Sequence, residues 1–504
     1  MAPAEVIVVD LVLIDGELGM VKLTADGVLE AIEYGEPSRY WTVKKDVLGF
    51  VVEGKYIRIK TVVEREEGIC CGEFGGDYSR KDFVFEPFSE DAKNRFCFKL
   101  RQYLDSLGRP KRLLVFVNPF GGKKSAIKIF EKEVKPLFED ADIQLDVQET
   151  KYQLHAKEWL GPWMYQSMMV LFVSVATVSL LRSDSKVVNG LLQRADWQTV
   201  FKLPIGVIPA GTGNGMIKSL LDAVGLQCCA NSATISIIRG PAPAYTFFRC
   251  GNYLTRKYQI LQRLDACLGL VADIDIESEK FRWMGSARMD FYLLSYSTKD
   301  NIQCSPDWLV SVGRSKDNKF KTIQWTSLFL PAPGFESYGQ PTSYRLYKEP
   351  PVKALGYQGP DTKFEDVEWR EIKGPFVSVW LHNVPWVLRT IWLLLQQRSF
   401  SDGFLDLIVV KNCPKLALLS LMTQISEGTH VQSPYVAYLK VKAFALEPGA
   451  LVDEPDKEGI IDADGEVLAR GRRTYKCEQI ALMSYDKLQI TVDQGLATLF
   501  SPEY

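Results

Sequence analysis

The chain has 504 residues, 46% of them apolar and 24% charged, with a formal net charge of −2. That balance fits a globular protein of two or three domains with ample core, and it carries no basic field that would draw nucleic acid. Ten cysteines without a CxxC framework, the adjacent pairs Cys70-Cys71 and Cys228-Cys229, only three histidines and an MAPAEVIVVD start unlike a secretory leader read as a reduced, cytoplasmic protein. Its chemistry is then not that of a histidine-rich metal site or a histidine-based hydrolase.

Residues 1–107 read as a β-rich module. VIVVDLVLI, GFVVEGKYIRIKTVVE and KDFVFEPF are strand-like, and Glu90 to Leu104 forms a closing helix. SLGRPKR is a turn and basic linker. From Arg112 to about Arg239 the pattern becomes βαβα. LLVFV is a buried strand, KIFEKEVKPLFEDA an amphipathic helix, IQLDVQET a strand and VVNGLLQRADW a helix. KLPIGVIPAGTGN is a strand and turn, and MIKSLLDAVG a helix. The expected fold class is α/β, a doubly wound parallel-sheet nucleotide domain over residues 110–240. A mostly antiparallel β domain over residues 241–504 follows. There GLVADIDIE, GPFVSVWLHNV, DGFLDLIVV, YLKVKAFALEP, KEGIIDADGEVLA and KLQITV are strand-like. A cleft between the two would hold substrate.

The strongest local signal is LLVFVNPFGGKKSA, Leu113 to Ala126: a buried strand, a glycine turn, two lysines and a helix start. Such a turn aims backbone N–H groups and the helix dipole at an anion. IGVIPAGTGNGM, Ile205 to Met216, repeats the idea. Either loop alone is also what a tight βα turn without a ligand looks like. Two in one chain point to a nucleotide polyphosphate.

These residues resemble the lipid kinases that share the diacylglycerol kinase catalytic fold, and among them the sphingosine kinases, especially the plant type. The motifs are NPFGGKKSA, ETKYQLHAKE, VVNGLL, IPAGTGNGM, GLVADIDIESEKFRWMGSARMDFY, LPAPGFESYG and IIDADGEVL, and they cover most of Val115 to Tyr504. The resemblance implies that Asn118, Phe120, Gly121, Gly122, Lys123, Thr150 and the turn Gly211-Thr212-Gly213-Asn214 hold ATP. It implies that Asp464-Gly465-Glu466 closes the nucleotide site, with Mg2+ near Asp464. On its own that tripeptide is a hairpin turn. Asp275 is assigned to the ammonium of a sphingoid base, with Arg282 and Arg288 nearby for phosphate or carboxylate. Period-two alternation predicts Asp273, Asp275 and Glu277 on one face of a strand. Without the resemblance they read as a solvated acidic face beside an ion-paired helix. The implied reaction moves the ATP γ-phosphate to the primary hydroxyl of a sphingoid base, with peripheral membrane contact. Diacylglycerol or ceramide as substrate, a catalytically dead lipid- or partner-binding relative, and a soluble nucleotide kinase are the alternatives.

One departure bears on activity. The family carries a strand ending in Ser-Gly-Asp-Gly, whose Asp is the expected base for the lipid hydroxyl. Here the stretch is EWLGPWMYQSMMVLFVSVATVSLLRSDSK, so no catalytic base is assigned. Trp159 to Leu181 is 23 uncharged residues, long enough for a membrane span. A span there would cut the parallel sheet, so the span reading is rejected. Synonymous codons for the stretch from Trp159, regrouped by one base, spell VARTMDVSKYDGIVCVSGDG. RKYQILQRLDACLG, KTIQWTSL and VLRTIWLLLQQR regroup in the same way, and Tyr245 to Arg249 reads as a translated intron tail. The chain therefore looks frame-slipped in places, and as written it is expected to have little or no kinase activity.

Overall fold

A computed structural model describes residues 5–65, 77–119, 125–151, 169–173, 191–192, 194–200, 202–209, 215–252, 259–262, 265–284, 288, 291–292, 309–315, 367–383, 386–388, 391–392, 403–425, 428–450, 456–463, 466–474, 481 and 483–502. The N-terminal module contains strands β1 (Val6–Ile14), β2 (Glu17–Thr24), β3 (Val28–Glu33), β4 (Arg39–Thr42), β5 (Val47–Glu53), β6 (Tyr56–Arg65) and β7 (Asp77–Pro87), with a short helix α1 (Val43–Asp46). They form one sheet in the order β4-β3-β2-β1-β7-β6-β5. Alternation along β1 buries Val8, Val12 and Ile14. Helix α2 (Glu90–Ser106) covers that face. Ser89 caps it by accepting the Ala92 N–H at 3.1 Å, and Phe96, Leu100 and Leu104, spaced by four, enter the core beside Phe83 and Phe85.

The chain then enters a parallel sheet. Strands β8 (Arg112–Val117), β9 (Gln144–Glu149), β10 (Met169–Val173) and β11 (Ile205–Val207) lie in the order β9-β8-β10-β11. Between β8 and β9 runs a helical segment of α3 (Ala126–Ile129), a π turn (Phe130–Val134) and α4 (Lys135–Asp140). It buries Ala126, Phe130, Val134, Leu137 and Phe138, a helical stripe against the sheet. Helices α5 (Trp197–Val200), α6 (Gly215–Asp222) and α7 (Ala230–Arg239) follow. From β8 the chain steps outward to β9, then returns past β8 to β10. The strand order therefore reverses between β8 and β10, and such a switch point opens a crevice at the carboxyl ends of the strands. The apolar run MVLFV is β10 itself, so the Trp159–Leu181 stretch contributes a sheet strand. Among the described residues no helix is long and apolar enough to cross a membrane.

The rest of the chain is mostly antiparallel. Its strands are β12 (Pro241–Asn252), β13 (Gln259–Gln262), β14 (Asp265–Gly269), β15 (Leu309–Ser315), β16 (Val367–Lys373), β17 (Phe376–His382), β18 (Trp386–Leu388), β19 (Ile391–Trp392), β20 (Leu405–Lys411), β21 (Val436–Val441), β22 (Ala443–Glu447), β23 (Ile460–Ala463), β24 (Glu466–Arg470), β25 (Met483–Ser484) and β26 (Leu488–Phe500). One sheet runs β21-β20-β17-β14-β23-β24-β25. Its Leu268, Val379, Leu407 and Ile461 pack against Val310, Phe444 and Ile490 of β15, β22 and β26, and this is the sandwich core. Strand β26 belongs to both halves of the fold. It pairs antiparallel with β22 (Ala443 with Thr491) and parallel with β11 (Ile205 with Leu499).

One expected strand is a helix. GLVADIDIE ends β14 at Gly269 (φ 80°) and continues as α8 (Leu270–Glu277), followed by a 3₁₀ turn (Ser278–Met284). Leu270 and Ile274 pack with Tyr292, Val377 and Leu418, whereas Ile276 packs with Ile460 and Val467. The helix is buried on two opposite sides. Steps of two residues turn about 200°, so two-sided burial imitates strand alternation. Helix α9 (Lys415–Ile425) and a 3₁₀ turn (Thr429–Gln432) complete this layer.

Candidate functional site

The parallel register aligns the strand ends. Val117 of β8 lies opposite Glu149 of β9 and Val173 of β10, and Phe172 lies opposite Val207 of β11. Asn118, Thr150 and the chain leaving β10 and β11 thus emerge along one edge. The first glycine turn leaves β8 and the second leaves β11, with only β10 between them. Two strand spacings put those exits about 10 Å apart. Phe120, Gly121, Gly122, Lys123, Gly211, Thr212, Gly213 and Asn214 lie outside the described residues, but what flanks them is described. Asn118 is half-buried, Ala126 opens α3 and Gly215 opens α6. Thr150 is buried. Its N–H donates to the Val117 carbonyl at 2.9 Å, and its hydroxyl lies 3.4 Å from the same oxygen.

Asp464 and Gly465 also lie outside the described residues. Ala463 pairs with Glu466 across β23 and β24, so the acidic tripeptide sits at the end of a two-stranded ladder. Asp462, which the motif reading passed over, is fully buried there, and the Cys267 thiol lies 3.3 Å from its Oδ2. A single inward polar residue in IIDA is the signal that was available.

The helical form of α8 separates the three carboxylates that a strand would have grouped. Asp273 and Glu277, four apart, share a side, and Asp275 is about 200° from each. Glu277 accepts the Tyr292 hydroxyl and lies 3.5 Å from Lys280 Nζ. Asp273 acts on Tyr485. That phenol's pKa is pushed up chiefly by burial, with Glu458 and Asp273 adding to it. Tyr485 also accepts the Gly459 N–H at 3.1 Å. Asp275 is half-buried and Arg288 is buried. Arg282 lies in the 3₁₀ turn, its side chain outside the described residues. Across the neighbouring strands His382 stands opposite Asp406, both buried, and the Tyr438 hydroxyl donates to Asp406 Oδ1 at 2.6 Å. Sequence reading did not single out that polar cluster.

Comparison with known proteins matches the chain to a family. The diacylglycerol kinase catalytic domain matches residues 112–174 and 184–249, and the YegS C-terminal NAD kinase beta sandwich-like domain matches residues 394–483. Sphingosine kinase 2 of Arabidopsis thaliana is 64% identical, over 100% of this chain and 99% of that protein. Sphingosine kinase 1 of the same plant is 58% identical, over 99% and 98%. Human sphingosine kinase 1 is 26% identical, over 72% and 87%. The fold is that of the diacylglycerol kinase catalytic type, and the chain belongs to the sphingosine kinases.

The first match is interrupted where the crevice opens. Strand β10 ends at Val173, and the correspondence stops at residue 174 and resumes at 184. Residues 175–183, VATVSLLRS, contain no carboxylate.

Proposed function

We propose that this crevice is built to transfer the ATP γ-phosphate to the primary hydroxyl of a sphingoid base, and that the chain as written holds nucleotide but turns over little or none. The observation carrying this is the break in family correspondence at the end of β10, on the wall of the switch-point crevice. In this reading Asn118, Thr150 and the backbone of the turns at Phe120, Gly121, Gly122 and at Gly211, Thr212, Gly213, Asn214 cradle the phosphates. Lys123 offsets their charge. Among the described residues no three His, Cys, Asp or Glu side chains converge. Mg2+ would come with the ATP phosphates and neutralise their charge, near Asp464 in this assignment.

On the lipid side Asp275 takes the substrate ammonium. A sphingoid base carries that charge and a diacylglycerol does not, which favours the amine over the neutral diols. Arg282 and Arg288 orient phosphate or carboxylate groups. A lipid substrate brings the protein to a bilayer surface, as a peripheral protein of the cytoplasm. The missing part is the Ser-Gly-Asp-Gly turn directly after β10, whose Asp would take the hydroxyl proton, a role worth about 10²–10⁴-fold in rate.

Two measurements test the reading. The chain should bind a non-hydrolysable ATP analogue. It should phosphorylate sphingoid base far more slowly than a version carrying VARTMDVSKYDGIVCVSGDG in place of Trp159–Val178. Lipid binding without turnover in both versions would favour the non-catalytic relative instead.

A further inference from the structure

The catalytic-domain match begins at residue 112 and leaves the N-terminal module outside it, although the plant sphingosine kinases align with this chain over its whole length. The structure binds that module tightly to the nucleotide sheet. Leu48, Val62 and Tyr78 of the module belong to the same buried cluster as Phe130, Val134 and Phe138 beneath the sheet and Ile235 and Ile238 of α7. A methyl group built on Gly49 would overlap the Asp140 carbonyl oxygen at the end of α4, so the two backbones touch there. Arg80 Nε donates to Asp140 Oδ2 at 2.7 Å, and Arg101 of α2 reaches Asp142 at 2.7 Å.

The centre of this contact is a pair of arginines. Arg109, in the linker that feeds β8, donates to the carbonyls of Leu48 at 2.9 Å and of Val43 and Lys44 at 3.1 Å each. Arg239, the last residue of α7, donates to the Lys45 carbonyl at 2.8 Å and to the Tyr78 hydroxyl at 3.1 Å. Its guanidinium stands 5.0 Å from the Tyr78 ring centre. Burial, with the Arg239 charge adding to it, lowers the Arg109 guanidinium to about 10. A buried guanidinium whose two terminal nitrogens donate to backbone carbonyls has a fixed geometry. Losing the guanidinium leaves three carbonyls without that donor, and a shorter cation cannot reach all three in one plane.

These contacts grip one unit at both lower ends. Arg109 holds the entrance to β8, and Arg80, Gly49 and Arg101 hold the exit of α4. The first glycine turn lies at the opposite end of the same strand–helix pair. We infer that Arg109 is a positioning residue: it locks the N-terminal module to the β8–α4 unit, so that module docking and occupancy of the first phosphate turn stabilise each other. This rests on the nucleotide reading above. If docking and phosphate binding are linked, each must strengthen the other by the same factor.

The test uses the full chain with Mg2+ and a non-hydrolysable ATP analogue. Hydrogen exchange is followed at β5 and β6, far from the turn. In the unmodified chain the analogue should slow exchange there about 5-fold or more. Arg109→Ala should remove that slowing and weaken analogue binding by about 5-fold, and Arg109→Lys should restore part of both. Unchanged affinity in Arg109→Ala, or analogue-dependent protection of β5 and β6 that survives it, would overturn the inference while leaving the nucleotide site standing. No analogue binding by the unmodified chain would remove the nucleotide reading and this inference together. Should Arg109→Ala not fold, Arg239→Ala is measured in its place against the same two results.

Discussion

The Thr150 N–H donates to the Val117 carbonyl at 2.9 Å, which fastens the residue after β9 to the last residue of β8. Thr150 is thereby held at the same sheet edge as Asn118, on the β9 side of β8. Thr150→Val keeps the shape and removes the hydroxyl. It should weaken an ATP analogue about 5-fold, the worth of one hydrogen bond of roughly 1 kcal/mol, and shift the melting temperature little. Titration calorimetry reads the first effect and calorimetric scanning the second. Equal analogue affinity would take Thr150 out of the site.

In the proposed reading, Asp275 is the residue that separates amine from neutral lipid. Asp275→Asn keeps the volume and removes the charge. The preference of the chain for a sphingoid base over a neutral diol of equal chain length should fall about 10-fold, as expected for loss of one charge-assisted contact. Binding to detergent-dispersed lipid measures it. A preference that persists would mean that another group recognises the ammonium.

His430 makes stability depend on acid. It is buried in the 3₁₀ turn after α9, and burial lowers its pKa to about 4 from an ordinary 6.5. The folded state therefore prefers the neutral ring. Above about pH 6.5 its neutral form costs nothing. As pH falls from 6.5 towards 4 the unfolded chain takes up the proton first, and about 3 kcal/mol of stability is lost. Urea melts at pH 7 and pH 4.5 should show this loss, and His430→Gln should reduce the difference between them. A difference unchanged by the substitution would assign the acid sensitivity elsewhere.

Gly49 tests the seam between the module and α4. Gly49→Ala must push the Asp140 backbone away, because no flexible side chain is there to yield. A loss of about 1–3 kcal/mol is expected in chemical denaturation. A neutral result would show that the seam is loose.

The periodic elements were legible in the sequence. Strands β8, β9 and β11, the amphipathic helix of KIFEKEVKPLFEDA and the helix from Glu90 to Leu104 all announce themselves through apolar spacing and turn residues, whereas the Ser89 cap of α2 was not read. A parallel sheet follows from the βαβα alternation; the order β9-β8-β10-β11, which sets the switch point, does not, because either neighbour of β8 can receive the next strand. Three features were hidden, each for a physical reason. Helix α8 reads as a strand because it is buried on opposite sides. Strand β26 reads as one more antiparallel strand, since its pairing with β11 depends on a contact nearly 300 residues away in sequence (Ile205 with Leu499). SLGRPKR reads as a turn and basic linker, and nothing in that reading shows that Arg109 within it is buried against three carbonyls. Pattern reports which residues prefer to be inside, and it is silent about what they meet there.

The most direct test concerns the residues that follow Val173. ATP-dependent phosphorylation of a sphingoid base is measured for the chain as written and for the version in which VARTMDVSKYDGIVCVSGDG replaces Trp159–Val178. The account predicts that replacement raises the rate by at least about 10²-fold, as a restored proton acceptor would. Equal rates from two folded, nucleotide-binding proteins would contradict it.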